Sequence, residues 1–73
     1  MKLPILSGRK LLRVLHEKNF ELDHQTGSHF ILRENKKPFR RVTIPNHKSL
    51  APETLLSILK QAGLSREEFL ALF

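Results

Sequence analysis

The 73-residue sequence contains no cysteine, and that absence removes several options at once. No disulfide can staple the chain, no thiolate can hold zinc, and nothing argues for an oxidising compartment. Long apolar runs are missing too. Met1-Lys2-Leu3-Pro4-Ile5-Leu6 is too brief for a signal peptide, and no later stretch nears the ~20 apolar residues that span a bilayer. A cytoplasmic protein with no membrane partner is expected. There is no glycine-rich phosphate loop. The carboxylates of Glu17, Glu21, Asp23, Glu34, Glu53, Glu67 and Glu68 are scattered, without the spacing of a magnesium site. No histidine pair has zinc-ligand spacing on one element. Neither a metal nor any other cofactor is expected. Internal repeats and low-complexity tracts are absent, and the length suits one domain over residues 1–73. A chain this short buries only about 60% of its unfolded surface, so it needs a well-made core or a partner.

Acidic residues are few against the basic ones: 7 against 13 Lys and Arg, a formal charge of +6. Their placement says more than the total. Between Arg33 and Lys48 stand Arg33, Lys36, Lys37, Arg40, Arg41 and Lys48, opposed only by Glu34, so this segment holds +5 of the +6. Lysines on a hairpin can simply blunt an exposed sheet edge. A phosphate-binding surface accounts better for the lopsidedness, because neutralising phosphates releases counterions and drives binding of any sequence.

Local patterns predict the elements. Ser7 can cap a helix over about residues 8–18, with Leu11, Leu12, Val14 and Leu15 as its apolar stripe and Asn19 able to end it in the left-handed region. Phe20 to Gln25 alternates like a half-buried strand, and Thr26-Gly27 supplies a turn in which Gly27 is free to take positive φ. A strand from Ser28 to Glu34 would bury Phe30 and Leu32 and leave His29, Ile31 and Arg33 on the opposite face. After the Asn35–Phe39 loop, a third strand over Arg40–Ile44 would bury Val42 and Ile44, aim Arg41 and Thr43 to the His29 side, and stop at Pro45. Pro52 suits the first turn of a second helix ending at Gly63, and Ser65-Arg66-Glu67-Glu68 has capping-box spacing for a short third one. The expected class is α+β in the order α-β-β-β-α-α: a three-stranded antiparallel meander with helices on one face.

The feature with chemistry in it is Gly27-Ser28-His29, an imidazole just past a turn at the start of a strand. Histidine holds or releases a proton near neutral pH, which makes it the usual proton carrier of a site. RNA can be cleaved without metal if a base takes the 2′-hydroxyl proton, an acid protonates the leaving oxygen and cations steady the phosphate charge. His29 could fill either proton role, with Arg33, Arg41, Lys48 and Lys36 as charge stabilisers. His16 reads as a surface residue, His24 as a cross-strand neighbour near the open face, and His47 as a loop residue that either holds the loop or assists. A binding module without catalysis is the alternative, of the type that reads duplex RNA by shape. Pro52-Glu53 stands where such a module carries clustered lysines, which argues against duplex RNA.

Ser7-Gly8, the strand start at Phe20, Gly27-Ser28-His29, Val42-Thr43-Ile44-Pro45 with His47, and the run from Leu56 to Ser65 together resemble the HicA family of toxins, in order and spacing over nearly the whole chain. The resemblance implies a double-stranded-RNA-binding-domain-like fold. It also implies an mRNA endoribonuclease that acts on single-stranded RNA without the ribosome and is held inactive by a HicB antitoxin. The family's catalytic histidine maps to His29, with Gly27 and Ser28 completing the motif, and His47 matches a second family histidine. The basic residues Arg33, Lys36, Lys37, Arg41 and Lys48 are then expected to contact RNA, the antitoxin or both. Two departures are Asn19, where many relatives have glycine, and the Lys36-Lys37-Pro38-Phe39 loop, often shorter and glycine-containing in relatives. Neither touches the motif.

Overall fold

Ser7 opens the first helix: its hydroxyl accepts from the Lys10 amide at 3.0 Å and satisfies one of the orphan donors there. The protein is seen in a computed structural model whose described residues are 3–73, so Met1 and Lys2 of the apolar N-terminus lie outside them. Helix α1 spans Gly8–His16, two residues shorter than the sequence pattern predicts, because Glu17 caps it and the chain turns through Asn19 at φ 70°. Strands β1 (Phe20–Gln25), β2 (His29–Glu34) and β3 (Arg41–Pro45) form an antiparallel sheet in the order β1-β2-β3. Helix α2 covers Pro52–Ala62 and ends at Gly63 in the left-handed region, φ 70°. Helix α3, Arg66–Leu70, begins with the full capping box between Ser65 and Glu68. The predicted class and element order are those observed.

One face of the sheet carries the core. Phe30 and Leu32 of β2 and Val42 and Ile44 of β3 are buried beneath α1 and α2, with Leu11, Leu15, Leu55 and Ile58 meeting them from the helices. Each such side chain contributes roughly 1.5–3 kcal/mol by leaving water. Phe69 of α3 is wholly buried in the same cluster. Phe73 is not: it stays 59% exposed and touches Phe69 edge to face, centroids 5.3 Å apart, instead of lying on the body. Among the described residues no helix is long and apolar enough to cross a membrane.

Four local expectations are corrected. β1 is not half-buried: beyond Phe20 every residue is exposed, Leu22 by 46%, since this edge strand runs out past the helical layer. A bulge at Asp23 moves the alternation by one and sets His24 opposite Ile31 on the open face, where the sequence reading places it. β3 includes Pro45 and starts at Arg41. It is an edge strand, Pro45 lies opposite His29, and the donor that continues the pairing is the Asn46 amide, 2.9 Å from the Ser28 carbonyl. Gly27 does not use positive φ, and a Cβ there would meet nothing within 4 Å. Thr26 makes the turn tight instead: its hydroxyl accepts from the His29 amide at 2.9 Å, and its own amide donates to the His29 carbonyl at 2.9 Å. β2 accordingly begins at His29, with Ser28 still in the turn. Glu34, the one acid of the basic segment, is buried, 8% exposed, accepting from the Arg40 amide at 3.1 Å and paired with its guanidinium at 3.4 Å.

Candidate active site

The Thr26–His29 turn delivers His29 to the first position of β2, half-buried, with its backbone fixed by the two hydrogen bonds to Thr26. Its ring is tethered as well, Nδ1 lying 2.9 Å from Ser28 Oγ. Whether Nδ1 donates to that hydroxyl or accepts from it, the contact occupies Nδ1 and leaves Nε2 as the nitrogen for exchange with a ligand. Two adjacent residues of the motif thus set both the position and the orientation of the imidazole.

His29 lines a groove of about 390 Å³ together with Thr43 and Pro45 of β3. The opposite wall is the flank of α2 that carries Glu53, Thr54, Ser57 and Gln61, with buried Ile58 between the walls. The groove exists because α2 packs along the free edge of β3. Gln61 Oε1 accepts from the Thr43 amide at 3.0 Å, satisfying an edge donor that the sheet leaves unpaired and stitching the two walls together. The lining mixes polar and apolar groups and carries only two ionisable ones, His29 and Glu53.

The sequence-derived basic residues do not gather around His29. Arg33 and Arg41 lie opposite each other on the open sheet face, but at the other end of the β2–β3 ladder from the His29–Pro45 pair. Arg33 lies four positions along the strand from His29, about 13 Å at ~3.3 Å per residue. Lys36 and Lys37 are exposed on the loop at that same far end. Arg40 is tied to Glu34, so among the described residues the cations of the basic segment without an ion pair are Arg33, Lys36, Lys37, Arg41 and Lys48. Lys48 and His47 are exposed in the loop after Pro45, at the His29 end. His47 holds that loop with its backbone, its carbonyl accepting from the Gly8 amide at 2.9 Å, and its side chain is not part of the groove lining. Gly27 and Ser28 flank His29 in the turn. His16 is exposed, with Nδ1 3.3 Å from the Phe20 carbonyl.

The open face also carries an acid. Asp23 at the bulge accepts from His24 Nδ1 at 2.8 Å, and this bond holds its carboxyl below the usual carboxylate range. Desolvation opposes it, and the positive charges of Arg33, His24 and Arg41 act with the bond. Among the described residues, no group of three or more His, Asp or Glu side chains is arranged to hold a metal ion.

Sequence reading passed over the α2 wall. Its signal was present as small uncharged polar residues at Thr54, Ser57 and Gln61, three and four positions apart, hence on one flank of a helix. Which part of the sheet that flank would meet is a matter of packing. A family model described as "HicA toxin of bacterial toxin-antitoxin" matches residues 8–64, from the start of α1 to just past α2. Searches of curated proteins and of solved structures return no match.

Proposed function

The chain belongs to the HicA toxin family of toxin–antitoxin systems, and from that premise we propose that it is a metal-independent endoribonuclease of the cytoplasm, cutting mRNA in single-stranded regions, with His29 as a catalytic proton carrier and a HicB antitoxin as its inhibitor. The observation that carries this reading is the tethered imidazole on the groove wall, Nδ1 at 2.9 Å from Ser28 Oγ and Nε2 left for substrate. Proton transfer by a positioned imidazole is worth ~10²–10⁴ in rate. Gly27 and Ser28 shape the approach to His29, Lys48 and His47 lie at the same end of the sheet, and Arg33, Arg41, Lys36 and Lys37 hold the RNA further along. An antitoxin that covers the groove and these cations excludes RNA by steric and electrostatic competition.

The test is cleavage of a short single-stranded RNA in buffer with EDTA. Wild-type protein is expected to cut it, and His29→Ala to lose the activity while keeping its circular-dichroism spectrum and RNA affinity. Equal rates for the two proteins would remove His29 from the chemistry. A complete loss on chelation that magnesium restores would move the protein to a metal-dependent mechanism. A non-catalytic RNA-binding module predicts binding and no cleavage from either protein.

A further inference from the structure

We propose that Glu53 is the general base of this reaction and His29 its general acid, the two working from opposite walls of the groove. The inference rests on the ribonuclease reading above and names the second proton carrier that such a reaction requires. Cleavage without metal moves two protons, one off the 2′-hydroxyl and one onto the departing oxygen. Of the eight residues lining the groove, six are Thr43, Pro45, Thr54, Ser57, Ile58 and Gln61, none of which exchanges a proton near neutral pH. His29 from β2 and Glu53 from α2 are the two that remain, and β3 supplies no charged group to the groove.

Their surroundings separate the roles. Glu53 is exposed in the first turn of α2, where negative charge is favoured, and among the described residues its carboxylate has no hydrogen-bond or ion-pair partner. It is therefore free to accept a proton. Complementing the helix dipole is an ordinary use for such a glutamate, but that use does not require it to line the same groove as the imidazole. His29 as imidazolium donates Nδ1–H to Ser28 Oγ and presents Nε2–H to substrate.

The step balances with these two groups alone. The 2′-oxygen forms a bond to phosphorus as its proton passes to the Glu53 carboxylate. The bond from phosphorus to the 5′-oxygen breaks as that oxygen takes the Nε2 proton of His29. The products are a 2′,3′-cyclic phosphate and a free 5′-hydroxyl, and no co-reactant is consumed.

Single-turnover cleavage of a short RNA in EDTA, measured across pH, tests the assignment. Glu53→Gln keeps the shape of the side chain, so its circular-dichroism spectrum should match wild type while the rate falls ~10²–10⁴-fold. RNA affinity should hold or rise, since a negative group has left a phosphate site. Wild-type cleavage should follow a bell-shaped pH profile, and the acid limb should vanish in Glu53→Gln. An RNA whose leaving 5′-oxygen is replaced by sulfur separates base from acid, because a thiolate leaves without protonation. That substrate should restore His29→Ala and fail to restore Glu53→Gln. With wild-type protein, which needs no variant to fold, it should abolish the basic limb and keep the acid one. A Glu53→Gln enzyme as fast as wild type beside an inactive His29→Ala would overturn the role of Glu53 and leave the ribonuclease reading standing. Rescue of Glu53→Gln in place of His29→Ala would overturn the assignment of roles. Full activity of His29→Ala would instead defeat the reading on which the inference rests.

Discussion

At the scale of single residues, two glycines that look alike in the sequence have opposite duties. Gly8, the first residue of α1, packs so closely on the end of β3 that an added Cβ would collide with the Pro45 carbonyl oxygen. Gly27, in the motif turn, has open space around it and a φ outside the left-handed region. Gly8→Ala is expected to cost ~1–3 kcal/mol by overpacking backbone against backbone. Gly27→Ala is expected to leave stability unchanged or raise it by ~0.4–1 kcal/mol, since alanine restricts only the unfolded chain. Urea unfolding of the two variants checks both, and a destabilised Gly27→Ala would show that the turn needs glycine after all. If Gly27→Ala is stable and cleaves poorly, the glycine serves the approach of RNA to His29. The motif would then be a matter of access as much as of folding.

At the scale of elements, the β2–β3 ladder divides the proposed site in two. His29 stands at one end with the groove, and Arg33 opposite Arg41 at the other. Such a separation suits cations that hold the RNA strand and leave the reacting phosphate to others. Arg33→Gln and Arg41→Gln should each weaken RNA binding alike for all sequences and reduce the salt-dependence slope by ~0.7 for every phosphate no longer neutralised. The rate at saturating RNA should stay within a few-fold of wild type. Binding titrations at two salt concentrations, with single-turnover rates, check this; unchanged affinity and slope in the double variant would remove the open face from the RNA site. The same substitutions should slow antitoxin association if its footprint overlaps.

Helix α3 offers an independent check through its cap. The Glu68 carboxylate accepts from the Ser65 amide at 2.9 Å, and this bond, helped by the nearby Ser65 hydroxyl, holds its carboxyl below the usual range. A lowered folded-state value means that the unfolded chain takes up the proton first. The contribution of the cap is therefore complete above the unfolded carboxylate range and disappears as pH falls through the folded value. Acidification through the carboxylate range should lower the protection of the Ser65 amide against hydrogen exchange, taken relative to the intrinsic rate at each pH, and Glu68→Gln should remove that pH dependence of protection. Protection at Ser65 with the same pH response in both proteins would mean that the box does not hold in solution.

At the scale of the whole molecule, so short a chain has little stability to lose. At about 0.05–0.15 kcal/mol per residue it should hold ~4–11 kcal/mol in all. Phe69, beyond the span matched by the family, is wholly buried in the common core. Phe69→Ala should therefore cost ~3–5 kcal/mol, a large share of the total, although it lies far from His29 in sequence. Thermal unfolding measures this, and a loss below ~1 kcal/mol would mean that α3 is an appendage.

What could be read from the sequence was what neighbours in the chain decide between themselves. Ser7, Asn19, Gly63 and the Ser65–Glu68 box terminate helices through bonds to their own backbone a few residues away, so the element order and most boundaries were legible. Alternation likewise assigned Phe30, Leu32, Val42 and Ile44 to the core and His29 to the other face. Tertiary structure decided the rest because it depends on pairing across distance. The bulge at Asp23 follows from register with β2, the burial of Glu34 from the position of Arg40, and the exposure of Leu22 from where the helical layer stops. The groove is the clearest case: His29 and Glu53 are brought to one cleft only because α2 seals the free edge of β3, with Gln61 bound to the Thr43 amide. A strand edge left with an unpaired donor must find a partner outside its own ladder, and no local pattern says which residue will supply it.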